Sequence, residues 1–233
     1  MITAAANQRA DASRALIIFA KQPAPGAVKT RLAPPLTPET AAELYACMLQ
    51  DTLDMALHLA GITPFIFYQG GAGAAGFFAA AAPGIAAEPQ QGRDLGERMK
   101  RAFAAIAARG CREIAIIGTD APDLPAGYVV AAFTQLEDEH TDVVFGPAAD
   151  GGYYLLAMKR VWDELFLDIP WSSAAVLAVS AAKAKAAHLG VALLPPWYDL
   201  DTPADLERPA LLAENTTAAR TGKFLRRMRL SAT

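Results

Sequence analysis

Six consecutive residues, Ala15-Leu16-Ile17-Ile18-Phe19-Ala20, are apolar without interruption. A strand with one wet face alternates apolar and polar side chains. A short unbroken run instead marks a strand covered on both faces, as inside a parallel sheet. Comparable runs recur at Ile62–Tyr68, Glu113–Gly118 (Ile114, Ile116 and Ile117), Asp142–Pro147, Tyr153–Met158 and Val191–Leu194, with a shorter one at Ile85–Glu88. Between them lie segments with helical character. Pro38–Ala60 repeats Leu44, Met48, Leu49, Leu53 and Leu57, opens on Thr37 as N-cap with Pro38 behind it, and ends at Gly61. Asp94–Arg109 opens on Asp94 with Glu97 three residues on, a capping-box spacing. Ala126–Glu137, the Ala-rich Ser173–Leu189 and Pro203–Ala213 complete the helices, with a short one expected in the Gly/Ala-rich stretch after Tyr68. Strands alternating with helices predict an α/β, three-layer sandwich: one mostly parallel sheet with helices on both faces.

No linker divides this pattern. One domain is expected over residues 14–215, preceded by a flexible tail (1–13) and followed by a basic, helical tail (216–233). Hydrophobic residues make up 53% and charged residues 19%, enough apolar matter for a large core. The net charge of −3 excludes a general nucleic-acid binder, because no basic surplus exists to neutralise a run of phosphates. Cys47 and Cys111 are too few for a disulfide framework and suit a reduced interior. Neither a leader-like apolar segment near Met1–Ala12 nor a membrane-length apolar run is present, so a cytoplasmic protein without membrane contact is expected.

In open parallel sheets, ligands bind beyond the carboxyl ends of the strands. The unusual residues cluster there. After the first run, Lys21, Lys29 and Arg31 share one loop with Gly26, and Ala20 closes the strand. Two mobile point charges and one planar fork suit a polyphosphate, although many basic loops are simply solvated. The spacing is neither a Walker A loop nor a dinucleotide fingerprint. After Gly118, Asp120 can hold a hard cation through oxygen or cap the following turn, with Asp123 as a possible second ligand. Asp150-Gly151-Gly152 is either a hairpin turn or a carboxylate facing the cleft and contacting acceptor or metal, with Tyr153 or Tyr154 as a wall. Asp199 and Asp201 alternate on an extended stretch and so share a face, and Asp201 can complete a metal site with Asp120. Asp205 suits a helix N-terminus. Gly92 lies in a turn that admits a flat base or merely bends the chain. Trp171 and Ser172 either cap the Ala-rich helix or line an acceptor pocket. His58, His140 and His188 are isolated, which argues against a histidine-based triad.

Four of these segments, Phe19–Leu32, Gly118–Leu124, Gly146–Tyr153 and Asp199–Leu206, stand in an order that resembles the DUF2064 family of bacterial proteins. That family lies in the GT-A (nucleotide-diphospho-sugar transferase) superfamily, whose fold is Rossmann-like. The resemblance spans Ala15 to Leu206. More distantly, the pattern is similar to the guanylyltransferases of coenzyme F420 and molybdenum-cofactor biosynthesis. It implies that Lys21, Lys29 and Arg31 grip nucleotide phosphates, that Asp120 and Asp201 hold Mg²⁺ or Mn²⁺, and that the turn at Gly92 meets the base. The partners implied are a nucleotide or nucleotide-sugar and a small-molecule acceptor. One departure matters: many GT-A glycosyltransferases carry Asp-x-Asp at the metal, where this chain has Asp120-Ala-Pro-Asp123. The expected activity is therefore nucleotidyl transfer with release of pyrophosphate, or alternatively glycosyl transfer, for which Asp150 is a candidate base if the reaction inverts configuration.

Overall fold

The computed structural model describes residues 13–231, so the expected flexible tail, apart from Ser13, lies outside the described residues. The first apolar run becomes β1 (Arg14–Lys21), in the interior of a seven-stranded sheet. The other strands are β2 (Thr63–Gln69), β3 (Ala86–Pro89), β4 (Glu113–Ile117), β5 (Val143–Pro147), β6 (Tyr153–Met158) and β7 (Val191–Leu193), in the spatial order β3-β2-β1-β4-β6-β5-β7. β1 pairs in parallel with both β2 and β4, which is why its residues Ala15–Ile18 are fully buried and apolar. β6 alone runs antiparallel, against β4 on one side and β5 on the other. The strand order reverses direction of growth at β1 and β4. Their carboxyl ends therefore open onto a crevice.

The helices are α1 (Pro38–Leu57), α2 (Ala74–Ala81), α3 (Leu95–Ala107), α4 (Ala126–Glu137), α5 (Val176–Ala186), α6 (Pro209–Leu212) and α7 (Ala219–Ser231). One face of the sheet buries Leu16, Ile18, Ile66 and Leu155 with Leu49 and Leu53 of α1, Phe78 of α2 and Phe133 of α4. The opposite face buries Ile17, Ile116, Phe145 and Leu156 with Met99, Phe103 and Ile106 of α3. A third cluster joins Leu32, Leu44, Met48, Leu200 and Leu206 to Phe224 and Leu225 of α7. Thr37 caps α1, its hydroxyl accepting from Thr40 N–H, and Asp94 caps α3 by accepting from Glu97 N–H.

The structure differs from the sequence reading in three places. The Ala-rich helix starts at Val176 instead of Ser173, because the Ser173 hydroxyl donates to Pro170 O and accepts Ala175 N–H, spending the preceding residues on a turn. The expected helix over 203–213 splits into a 3-10 turn (Pro203–Glu207) and α6. Pro209 forces Arg208 into extended backbone at φ −63°, ψ 124°, as a residue before proline prefers. The Glu97 carboxylate accepts from Arg93 N–H, one residue before the cap, so the capping box of α3 is only half formed. The basic C-terminal stretch is helical, and its α7 packs on α1. Among the described residues, no helix is long and apolar enough to cross a membrane.

Candidate active site

The crevice beyond β1 and β4 is a cleft of about 580 Å³. Its floor is the end of β1 (Phe19, Ala20 and Lys21) and the loop after β4 (Gly118, Thr119 and Asp120). Two backbone ties give it its shape. Leu200 N–H donates to Asp120 O at 2.8 Å, and Trp197 N–H to Pro147 O at 3.0 Å. Together they draw the stretch after β7 back across the sheet, which is how Asp201 arrives beside Asp120. Asp205 locks the far end, accepting from Thr202 N–H and Thr202 Oγ1 and pairing with Arg208 at 2.7 Å.

Lys29 sits where these pieces meet. Its ammonium lies 2.5 Å from Asp120 Oδ1 and 2.8 Å from Asp201 Oδ1, and donates to Leu200 O at 2.6 Å. The side chain is 2% exposed, so a lone ammonium there would be strongly destabilising. Burial pulls its pKa down, but the facing Asp120 and Asp201 carboxylates more than reverse this, and the net shift is upward. Lys29 is also held in the left-handed region at φ 49°, a strain of about 1–3 kcal/mol for a non-glycine residue. Its three contacts are what hold it there. Arg31 reaches Asp201 Oδ2 at 3.6 Å from a side chain 74% exposed, so its guanidinium stays largely available to a ligand. Asp199 adjoins the same cluster. Its partial burial, with the neighbouring Asp120 and Asp150 carboxylates, pushes its pKa up to about 7, against a smaller opposing effect of Lys29.

Of the residues singled out in the sequence, the cleft brings together Ala20, Lys21, Lys29, Arg31, Asp120, Asp201, Tyr153, Tyr154 and Ser172. Others stand apart. Gly26 (φ 74°) is exposed in a turn closed by Ala27 N–H on Ala24 O, so it shapes the loop without lining the cleft. Gly92 (φ 144°) packs against α3, where a Cβ would come within 2.7 Å of Arg98 N, and the cleft wall there is made by Gln90, Leu95 and Arg98. Asp150 forms the hairpin turn, its Oδ1 accepting Gly152 N–H at 2.9 Å, and touches the cluster only through its field on Asp199. Trp171 lies against Gly96 of α3 and leaves the wall to Ser172. The Tyr153 ring lines the cleft, while its hydroxyl is buried toward Ser180 of α5. Asp123 is turned away from the cleft. It is 5% exposed and accepts from Trp197 Nε1 and the Tyr198 hydroxyl, which anchors the returning stretch, so it is not placed as a second ligand.

Four contributors escaped the sequence reading. The Tyr45 hydroxyl accepts Lys21 N–H and bonds Thr119 Oγ1, both at 2.8 Å, tying the ends of β1 and β4 together. Tyr45 falls within the apolar stripe of α1 and carries no sequence sign of a polar task. Gln69, Gln90 and Arg98 line the cleft from the ends of β2 and β3 and the first turn of α3. Their one available clue was position just beyond a strand or at a helix start.

The oxygens that a divalent cation could use here come from carboxylates. Among the described residues, no three histidine, cysteine or carboxylate side chains converge as a metal cage. Asp120 and Asp201 do converge, each giving one oxygen to Lys29, while the second oxygen of Asp201 faces Arg31 at 3.6 Å. Magnesium commonly takes one or two carboxylates and completes its octahedron with phosphate oxygens and water. The pair fits that role in company with a phosphate ligand, and would not suffice as a cage without one.

A mostly parallel sheet with one reversed strand, and a cleft at its carboxyl edge where loop cations meet two aspartates, define the GT-A type of fold found in nucleotide-diphospho-sugar transferases. Within that class, residues 52–173 match the family described as "Uncharacterized protein conserved in bacteria (DUF2064)", and the chain belongs to that family. A solved structure from Desulfovibrio desulfuricans G20, described as a candidate nucleotide-diphospho-sugar transferase, is 33% identical and superposes with a TM-score of 0.81 over 91% of this chain and 97% of its own. A cytidylyltransferase from Leptospira borgpetersenii shares the fold at 11% identity and a TM-score of 0.59, over 94% of this chain and 95% of that one. A CMP:2-keto-3-deoxy-manno-octonic acid synthetase bound to CTP does so at 14% and 0.54, over 84% and 96%. No curated protein sequence is significantly similar to the chain.

Proposed function

We propose that this protein is a metal-dependent, nucleotide-using transferase that moves a nucleotidyl group from a nucleoside triphosphate to a small phosphorylated or anionic acceptor. The observation that carries this reading is the convergence of Lys21, Lys29 and Arg31 with Asp120 and Asp201 in one cleft at the carboxyl ends of β1 and β4. Three cations, Lys21 at the end of β1 and Lys29 and Arg31 on the segment that follows, match the charge of a triphosphate better than that of a diphosphate. In the reaction an acceptor oxygen attacks the α-phosphorus, the bond from that phosphorus to the β-phosphate bridging oxygen breaks, and pyrophosphate leaves with the electron pair. Lys29 and Arg31 neutralise charge growing on pyrophosphate, and Lys21 holds the chain of phosphates in line. Asp120 and Asp201 would hold Mg²⁺ or Mn²⁺, which supplies charge neutralisation at the phosphate oxygens. No protein nucleophile is required.

A second reading is glycosyl transfer from a nucleotide-sugar. It is favoured by the 33% identical Desulfovibrio protein and its description. Asp150 would then be the base, although its carboxylate is already engaged by Gly152 N–H. The two readings separate in a thermal-shift screen of nucleoside triphosphates against nucleotide-sugars with Mg²⁺ or Mn²⁺, followed by product mass. Nucleotidyl transfer predicts the larger shift with a triphosphate, reaching about 2.7 kcal/mol at a hundredfold excess over Kd. It also predicts that Asp120→Asn keeps the fold and loses the metal-dependent part of that shift. A larger shift with nucleotide-sugars, or full metal-dependent binding by Asp120→Asn, overturns the assignment.

A further inference from the structure

We infer that Lys29 acts as an internal counter-ion that keeps a divalent cation off Asp120 and Asp201 until nucleotide phosphates draw its ammonium away. The inference rests on the reading of the cleft as a site for a cation and a phosphate chain, and concerns the order in which they enter. An ammonium has three N–H donors. In Lys29 two are given to protein oxygens, Asp201 Oδ1 at 2.8 Å and Leu200 O at 2.6 Å, and the charge is paired with Asp120 Oδ1 at 2.5 Å. Buried to 2% exposure and held between two carboxylates and a carbonyl, the ammonium is committed to the protein in this state and turned away from any ligand. A divalent cation on the same two carboxylates would sit beside a buried like charge, in surroundings that screen poorly. The two positive charges exclude each other unless a polyanion arrives to accept the ammonium. Phosphate oxygens offer that exchange, because Lys29 lines the same cleft as Lys21, at the end of β1, and Arg31. Binding of cation and nucleotide is then coupled, and free cation alone is held weakly.

The test needs no turnover. Mn²⁺ binding to the full chain without nucleotide is followed by the loss of the free-ion electron paramagnetic resonance signal, for the unaltered protein, Lys29→Met and Lys29→Arg. Removing the like charge should tighten Mn²⁺ binding by Lys29→Met roughly tenfold or more, whereas Lys29→Arg, which keeps the charge, should bind as weakly as the parent. Equal binding by Lys29→Met and the parent, or an equal gain in Lys29→Arg, overturns the inference. Should Lys29→Met fail to fold, ¹⁵N-lysine spectra of the unaltered protein decide the matter. The exchange-protected ammonium resonance of Lys29 should persist with Mg²⁺ alone and move when Mg²⁺ is added with a mixture of ATP, CTP, GTP and UTP. Displacement by Mg²⁺ alone sinks the inference, as does a resonance unmoved by a mixture that raises the melting temperature. If no triphosphate or nucleotide-sugar stabilises the protein, the functional reading fails instead, and the nucleotide-free Mn²⁺ arm still decides the part played by Lys29.

Discussion

At the scale of single residues, the site depends on groups whose partners are distant in sequence. Tyr45 is the clearest instance. Its hydroxyl satisfies Lys21 N–H and Thr119 Oγ1, partners at sequence separations of 24 and 74. Tyr45→Phe removes one oxygen and leaves two polar groups facing a hydrocarbon edge. Leaving a buried donor unsatisfied costs about 1–3 kcal/mol, so urea denaturation should show a loss in that range with an unchanged slope. A loss below about 0.5 kcal/mol would mean water replaces the hydroxyl and that the tie is dispensable. Local pattern could not disclose this role, because an aromatic on the buried stripe of α1 is accounted for by packing alone. The charged members of the site were legible for the opposite reason. Lysines, arginines and aspartates are costly to bury, so their appearance directly after apolar strands is informative.

At the scale of elements, helix propensity and packing pull in opposite directions on α3. Gly96 stands in its first turn, and replacing a helical glycine by alanine ordinarily gains about 1 kcal/mol. Here a Cβ would meet Trp171 Cζ2 at 2.6 Å and Phe166 O at 2.7 Å. The indole is rigid and the carbonyl belongs to the backbone, so neither yields cheaply, and overpacking of this kind costs about 1–3 kcal/mol. Packing should win. Gly96→Ala is expected to lower the melting temperature and to shift Trp171 fluorescence, with Ser172 displaced at the cleft wall. A higher melting temperature would show that Trp171 relocates without strain. The elements themselves were readable because covered strands and amphipathic helices leave distinct periods. Their ends were less so, since Ser173 and Arg208 are governed by one hydroxyl contact and by the proline that follows.

At the scale of the molecule, the C-terminal helix is structural to the whole and not an appendage. Asp51 of α1 is 4% exposed and accepts the first backbone N–H groups of α7, from Arg220 at 3.0 Å and Thr221 at 2.8 Å. That places a carboxylate at a helix N-terminus, where the aligned peptide dipoles favour it. Phe224 and Leu225 of α7 share a core with Leu200 and Leu206, which flank Asp201. Asp51→Ala removes two hydrogen bonds to a charged acceptor, each worth about 1.5–3 kcal/mol. Amide exchange should quicken over residues 219–231 and also over 200–206. Quickening confined to 219–231 would show the two segments to be energetically separate. The sequence marked this stretch as helical and basic. That it would close the core behind the site depends on Asp51, some 170 positions earlier, and no local signal records such a pairing.

The bond from the Lys29 ammonium to the Leu200 carbonyl bears on the protein during its own manufacture. Lys29 is synthesised well before its partner, for the carbonyl that receives its ammonium lies 171 positions further along. Until that carbonyl and Asp201 emerge, a nascent chain owns the basic loop and one aspartate but no completed cleft. Capture of nucleotide is thereby confined to chains extended past Asp201, and stalled translation products halted before residue 200 should fail to be retained on a triphosphate resin that holds the released protein.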